Sequence, residues 1–157
     1  VSVDRSVIRV KAMLVALGPD GTRHAVSRNP PTRENPDGYH RLVGGSVELG
    51  ETHRAAIERE VGEELGATID DLTFLAAVES IFQINGVLGH EIVFLYSGRL
   101  DPQPVSSGAT LTESDGSVVP VVWLPLNDAD PVLPLYPAAV APWITGLPGR
   151  AWAPPPG

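Results

Sequence analysis

Apolar and polar residues alternate and then merge into a continuous apolar run between Ser6 and Leu17 (SVIRVKAMLVAL), the pattern of a strand entering a core. Pro19-Asp20-Gly21 predicts a turn, and His24–Arg28 a second short strand. Asn29–Gly38 carries three prolines among polar and charged residues and predicts a loop. Tyr39–Val43 is a short strand that runs into Gly44-Gly45. From Thr52 the period changes. Ile57, Val61 and Leu65 recur at i, i+4 and i+8, the apolar stripe of a helix, with Thr52 as N-cap and Gly66 just past the end. Gly62 sits inside that helix at a cost of about 1 kcal/mol relative to alanine, which a close backbone approach would explain.

Strand patterns return at Leu72–Ile84 and His90–Leu100, joined by Asn85-Gly86-Val87-Leu88-Gly89, a hairpin signal within a longer loop. Asp101–Gly116 is polar and rich in Ser, Gly and Pro, so another loop is expected. Val118–Leu124 reads as a strand near a sheet edge, because Pro120 cannot donate to a ladder. Pro137–Thr145 predicts a second helix with Pro137 at its first position, kept short or bent by Pro142. Strands on both sides of one helix, with a second helix at the end, predict an α/β layer architecture with a mixed sheet between helices. The 157 residues suit one domain, 4–147, with Pro148–Gly157 as a disordered tail.

Composition narrows the function classes. The formal net charge is −8, and only Lys11 and ten arginines oppose the acids. That balance argues against a nucleic-acid partner, which needs clustered cations. Cysteine is absent, which excludes disulfides and thiolate metal sites. No apolar run approaches about 18 residues, and Asp4 and Arg5 interrupt any signal-peptide pattern, so a cytoplasmic chain without a membrane partner is expected.

The helix adds candidate chemistry. Glu60, Glu63 and Glu64 stand at i, i+3 and i+4, so three like charges share one face about a turn apart. Such a face is either simply solvated or a nest for divalent cations, which take carboxylate oxygens as ligands. Gly45–Ala67 reads GSVELGETHRAAIEREVGEELGA, which fits G-x5-E-x7-R-E-aliphatic-x-E-E-x-G-aliphatic at every fixed place. With each fixed residue at roughly one in fifteen, a chance match is on the order of 10⁻⁸ per starting position.

This segment resembles the Nudix box of the Nudix hydrolase (MutT-like) superfamily. The resemblance implies an α-β-α sandwich, with a mixed β-sheet and the box as loop–helix–loop. It implies hydrolysis, dependent on Mg2+ or Mn2+, of a pyrophosphate bond in a nucleoside diphosphate linked to another group. That substrate is a small molecule such as a nucleotide sugar, ADP-ribose, a dinucleotide or a nucleoside triphosphate. Many relatives are homodimers, and the sequence leaves the oligomeric state open. Carried over by position, Glu60 and Glu64 are the principal metal ligands, Glu63 a third, and the Gly44 carbonyl a backbone ligand. Arg59 and Glu51 would orient the carboxylates by a salt bridge, or simply pair loop with helix. Glu48 is a ligand or a loop-structuring acid. The base is a box glutamate or an acid before the last strand, where Glu113 is preferred to Asp115; the bland alternative for both is a solvated loop acid.

Arg28 and Arg41 flank the loop entering the box and are candidates for phosphate contacts, with His40 beside Arg41. Tyr136, Tyr39 or Phe82 would stack on a base or belong to the core. Glu79 and Glu91 lie on strands and face either the cleft or water. Val43 stands where many members of the superfamily carry proline. A reading of a different class is a non-catalytic Nudix-like nucleotide-binding or regulatory domain. Substrate identity resides in loops such as Asn29–Gly38 and Asp101–Gly116, which carry no readable code.

Overall fold

In the computed structural model, which describes residues 6–128 and 131–147, the first apolar run forms β1 (Arg9–Leu17). Its side chains go to opposite faces by parity, as a pleated strand requires. Two strands follow, β2 (Arg23–Asn29) and β3 (Tyr39–Arg41), then β4 (Val43–Ser46) and the box helix α1 (His53–Leu65). A long hairpin comes next, β5 (Thr68–Ile84) and β6 (Val87–Asp101). The chain ends with β7 (Thr110–Thr112), β8 (Val118–Pro125), β9 (Leu135–Tyr136), a 3-10 turn at Ala138–Val140 and α2 (Ala141–Thr145).

Among the described residues the strands make one mixed sheet in the order β5-β6-β1-β2-β3-β9, with β4 beside β1 and β8 between β2 and β7. β1 runs parallel to β6 and β3 parallel to β9; the other pairs are antiparallel. Ala12, Leu14 and Ala16 of β1 enter one core with Ala56, Ile57 and Val61 of α1. Met13 and Val15 enter a second core with Val140 and Ile144. The sheet is therefore covered by α1 on one face and by the 3-10 turn with α2 on the other, the expected layered α/β fold. No helix among the described residues is long and apolar enough to cross a membrane.

Helix α1 starts and stops where the sequence predicts. The Thr52 hydroxyl accepts from the Ala55 amide at 3.1 Å, and Gly66 closes the helix in the left-handed region at φ 62°. His53 anchors the first turn. Its ring stacks on Phe94 at 4.1 Å, and its Nδ1 shares a hydrogen bond with the Tyr96 hydroxyl at 2.5 Å. No backbone approaches Gly62, since a Cβ there would meet open space. Gly62→Ala is therefore expected to raise stability by about 1 kcal/mol, read as a higher midpoint in urea.

Several expected boundaries shift. The strand predicted at Tyr39–Val43 breaks at Leu42, and β4 carries the paired glycines into the sheet, with Met13 opposite Gly44 and Ala12 opposite Gly45. Asn85-Gly86 is a tight two-residue turn, both residues at positive φ (50° and 78°), so β6 begins at Val87 and no longer loop exists. β5 begins at Thr68, ahead of Leu72, because register irregularities between Asp70 and Thr73 and between Phe74 and Ala76 let the polar start join β6. The Asp101–Gly116 loop contains the short β7. Pro120 stands one residue beyond the β2 ladder, which begins at Val121, in keeping with a strand that is locally an edge. Pro137 precedes the 3-10 turn at φ −70°, ψ 135°, and Pro142 falls in the first turn of α2, where its missing N–H costs nothing. The predicted tail at 148–157 lies outside the described residues.

Candidate active site

Arg59 is the hub of the box. Its guanidinium grips Glu51 with two bonds, Nε to Oε2 at 2.7 Å and NH2 to Oε1 at 3.0 Å. NH1 reaches Glu60 at 2.9 Å and Glu63 at 3.2 Å, while NH2 also donates to the Ser46 carbonyl at 3.0 Å. A planar fork with five N–H groups suits this many acceptors, where a lysine would not. The Arg59 bonds and the Glu48 amide hold the Glu51 carboxyl down at about 2. Glu48 lies 3.9 Å from Arg59 and is largely exposed, a loop acid at the rim. Loop and helix are thus tied together before any ligand arrives.

Glu64 faces the other way. It is 8% exposed, and its Oε1 accepts from the Gly44 amide at 3.1 Å. Burial pushes its carboxyl up to about 8; Arg41 opposes this, while Glu113 and Glu60 add to it. Among the described residues Glu64 has no salt-bridge partner. Glu60 packs against Gly45, where a Cβ would sit 2.3 Å from the carboxylate carbon. The paired glycines therefore make room for the box acids as well as for β1.

Oxygen donors of this kind suit a hard divalent cation. In the arrangement present, Arg59 occupies Glu60 and Glu63, and no three acidic or imidazole groups among the described residues converge on one point. The donor chemistry fits such an ion: Glu64 holds a desolvated carboxyl beside further acids, and an added positive charge would relieve that burial. Convergence requires Glu60 or Glu63 to turn away from Arg59.

The fold brings two further candidates to the box. Glu113, at the start of the turn before β8, lies 3.8 Å from Arg41 and is near enough to raise the Glu64 pKa. Asp115 is instead engaged by the Ser117 amide at 2.9 Å and hydroxyl at 2.6 Å. Tyr136 pairs in register with Arg41, receives a hydrogen bond from Asn35 at 3.2 Å and meets Tyr39 edge to face at 5.4 Å. Arg28 is exposed on β2 opposite His40, and among the described residues it forms no ion pair with a box acid. His40 is buried, with an unpartnered Nδ1, which fits the core better than the cleft. Glu79 pairs with His90 at 3.0 Å.

Sequence reasoning passed over Lys11, the lone lysine, as a residue in an apolar strand. It is 6% exposed, donates to Ser46 Oγ at 3.0 Å and lies 3.9 Å from Glu91. A charged residue at a core-facing parity was the available signal. Two surface grooves of about 480 and 720 Å³ are lined by none of Glu60, Glu63, Glu64 and Glu113; the second runs beside the box loop along Val7–Val10 and Ser46–Gly50.

Comparison with known proteins places the chain in a family. The model for the NUDIX domain matches residues 8–144. Over 87 residues the chain is 32% identical to a Mycobacterium tuberculosis protein provisionally named mutator protein MutT4, covering 55% of this chain and 33% of that one. Over 49 residues it is 45% identical to a protein of the same species provisionally named 8-oxo-dGTP diphosphatase 2, covering 31% of this chain and 35% of that one. The matches thus span about a third of the length of these curated relatives. The crystal structure of a MutT NUDIX hydrolase from Burkholderia pseudomallei aligns with a TM-score of 0.58 and 25% identity, over 81% of this chain and 90% of that one.

Proposed function

We propose, for a chain that belongs to the NUDIX domain family, that it hydrolyses a phosphoric anhydride bond in a nucleoside diphosphate linked to another group. Mg2+ or Mn2+ is the proposed cofactor, held by Glu60, Glu63, Glu64 and the Gly44 carbonyl. The observation that carries this reading is the buried Glu64, a carboxyl pinned to the Gly44 amide beside Glu60 and short of countercharge. A helix built for stability alone would carry an apolar or neutral side chain there.

When bound, the cation supplies charge neutralisation on the phosphates and an acidified water. The chain's own residues do the rest. Arg41 binds a phosphate oxygen, with Arg28 and Tyr136 as further substrate contacts, Tyr136 by stacking on the base. Glu113 takes the proton of the attacking water, whose oxygen forms the new bond to phosphorus. The bridging P–O bond breaks and its electron pair leaves with the departing phosphate. Arg59 and Glu51 keep the helix acids in place. Products are a nucleoside monophosphate and the phosphorylated remainder, or pyrophosphate from a triphosphate. One domain over 4–147, in the cytoplasm, as monomer or homodimer, belongs to the same proposal.

The test is incubation with magnesium or manganese and a panel of nucleotide sugars, ADP-ribose, dinucleoside polyphosphates and nucleoside triphosphates, including an oxidised guanine nucleotide. Monophosphate release from at least one member, abolished by a chelator, is expected. A second reading, a nucleotide-binding domain without turnover, draws on the hold of Arg59 over Glu60 and Glu63. Tight nucleotide binding with no release from any member would replace the first reading by the second.

A further inference from the structure

At the entry to β1, three strands bring Arg9, Lys11 and Arg41 to the edge of the box. Lys11 and Arg9 both donate to one hydroxyl, Ser46 Oγ, at 3.0 and 2.6 Å. The ladders set this up, since Lys11 stands opposite Ser46 on β4 and Arg9 opposite Glu91 on β6. A third cation is close: Arg41 is the strongest of the charges that oppose protonation of Lys11, with Arg9 after it, while Glu91 and Glu60 favour the charged form. The carboxylates paired with these cations are loosely attached, Glu91 at 3.9 Å from Lys11 and Glu113 at 3.8 Å from Arg41. Both distances exceed hydrogen-bond length.

Burying an ammonium with so little compensation is costly. Burial, then Arg41, pull the Lys11 pKa down to about 8. A strand position between Arg9 and Met13 that needed only packing would take valine or leucine. Lys11 itself is buried, while Arg9 and Ser46, which share the hydroxyl contact with it, line the open groove of about 720 Å³ beside the box loop.

We propose that Lys11, flanked by Arg9 and Arg41, binds a phosphate group of the substrate next to the box acids. The assignment rests on the hydrolase reading and adds to it the residue that holds a phosphate on the side of β1. A phosphate there would accept from the Lys11 ammonium and the Arg41 guanidinium together, and would relieve the repulsion between them.

Binding of inorganic pyrophosphate to the full chain with magnesium, by isothermal titration calorimetry, tests this apart from turnover. Lys11→Met is expected to weaken binding at least tenfold. Glu91→Gln, which removes the competing acid, should leave binding unchanged or tighter. The double variant K11M/E91Q leaves no buried charge unpaired, so it should melt near the wild-type temperature and still bind weakly. Wild-type affinity in K11M/E91Q, equal weakening by E91Q and K11M, or no pyrophosphate binding by the wild type would each overturn the assignment. Loss of binding in K11M supports it even where the panel shows no cleavage, an outcome that would count against the hydrolase reading alone.

Discussion

Glu64→Gln is expected to lower anhydride hydrolysis by about two to four orders of magnitude, some 3–5 kcal/mol of transition-state stabilisation, while the protein becomes more stable. Both effects come from one side chain. Glutamine keeps the shape and can still accept from the Gly44 amide through its carbonyl oxygen, but it removes the negative charge that a cation needs. It also removes a buried carboxyl whose pKa stands at about 8 against an ordinary 4.5. Such a group binds more protons folded than unfolded. Its contribution to stability is full below about 4.5 and is lost as pH rises through 8. His24, lowered to about 4, works the opposite way below 6.5, and Lys11, lowered to about 8, does so above 8. Between pH 6.5 and 8 the metal-free wild type should therefore lose stability, by on the order of 1 kcal/mol per pH unit. In Glu64→Gln that slope should vanish. Urea midpoints at three pH values check it, and a flat wild-type profile would contradict the burial of a charged Glu64.

Gly44→Ala should destabilise the fold. Gly44 has φ 147°, and a Cβ there would lie 2.2 Å from the Ala12 carbonyl oxygen and 2.8 Å from the Met13 Cα. Both neighbours are backbone of β1, which β6 holds on its other side over the whole of Arg9–Leu17, so neither can retreat. Strain of this kind with a backbone clash costs about 3 kcal/mol or more, a drop of about 10 °C in Tm for a domain of this size. Circular dichroism melts of the variant measure it; a wild-type Tm would mean that β4 does not pack on β1 as described.

Local signals carried much of the fold. Alternation in SVIRVKAMLVAL gave β1 and its two faces, and Thr52 and Gly66 bracketed α1 because capping is a matter of a few neighbouring residues. The short strands β7 and β9 escaped, since two or three residues hold too little pattern and their pairing with β8 and β3 is decided elsewhere. Asn85-Gly86 was visible as a turn, but its tightness depended on how Gln83-Ile84 and Val87-Leu88 pair. In the site, the shared face of the box acids follows from helix spacing, while the Arg59–Glu51 clamp was expected only from the resemblance to the Nudix box. The approach of Glu113 to Arg41 and the Arg9–Lys11–Ser46 cluster follow from neither, because each needs strands far apart in sequence to come into register. Lys11 illustrates the difference: within its own strand it looks like an interruption, and only β4 and β6 give it neighbours.

On the proposed function, the like-charged face of α1 holds a divalent cation. Titration with manganese, followed by the EPR signal of the free ion, tests it most directly. The wild type should take up manganese that magnesium displaces, and Glu60→Gln/Glu64→Gln should take up none over the same range. Uptake unchanged in that double variant, or absent in the wild type, would contradict the account.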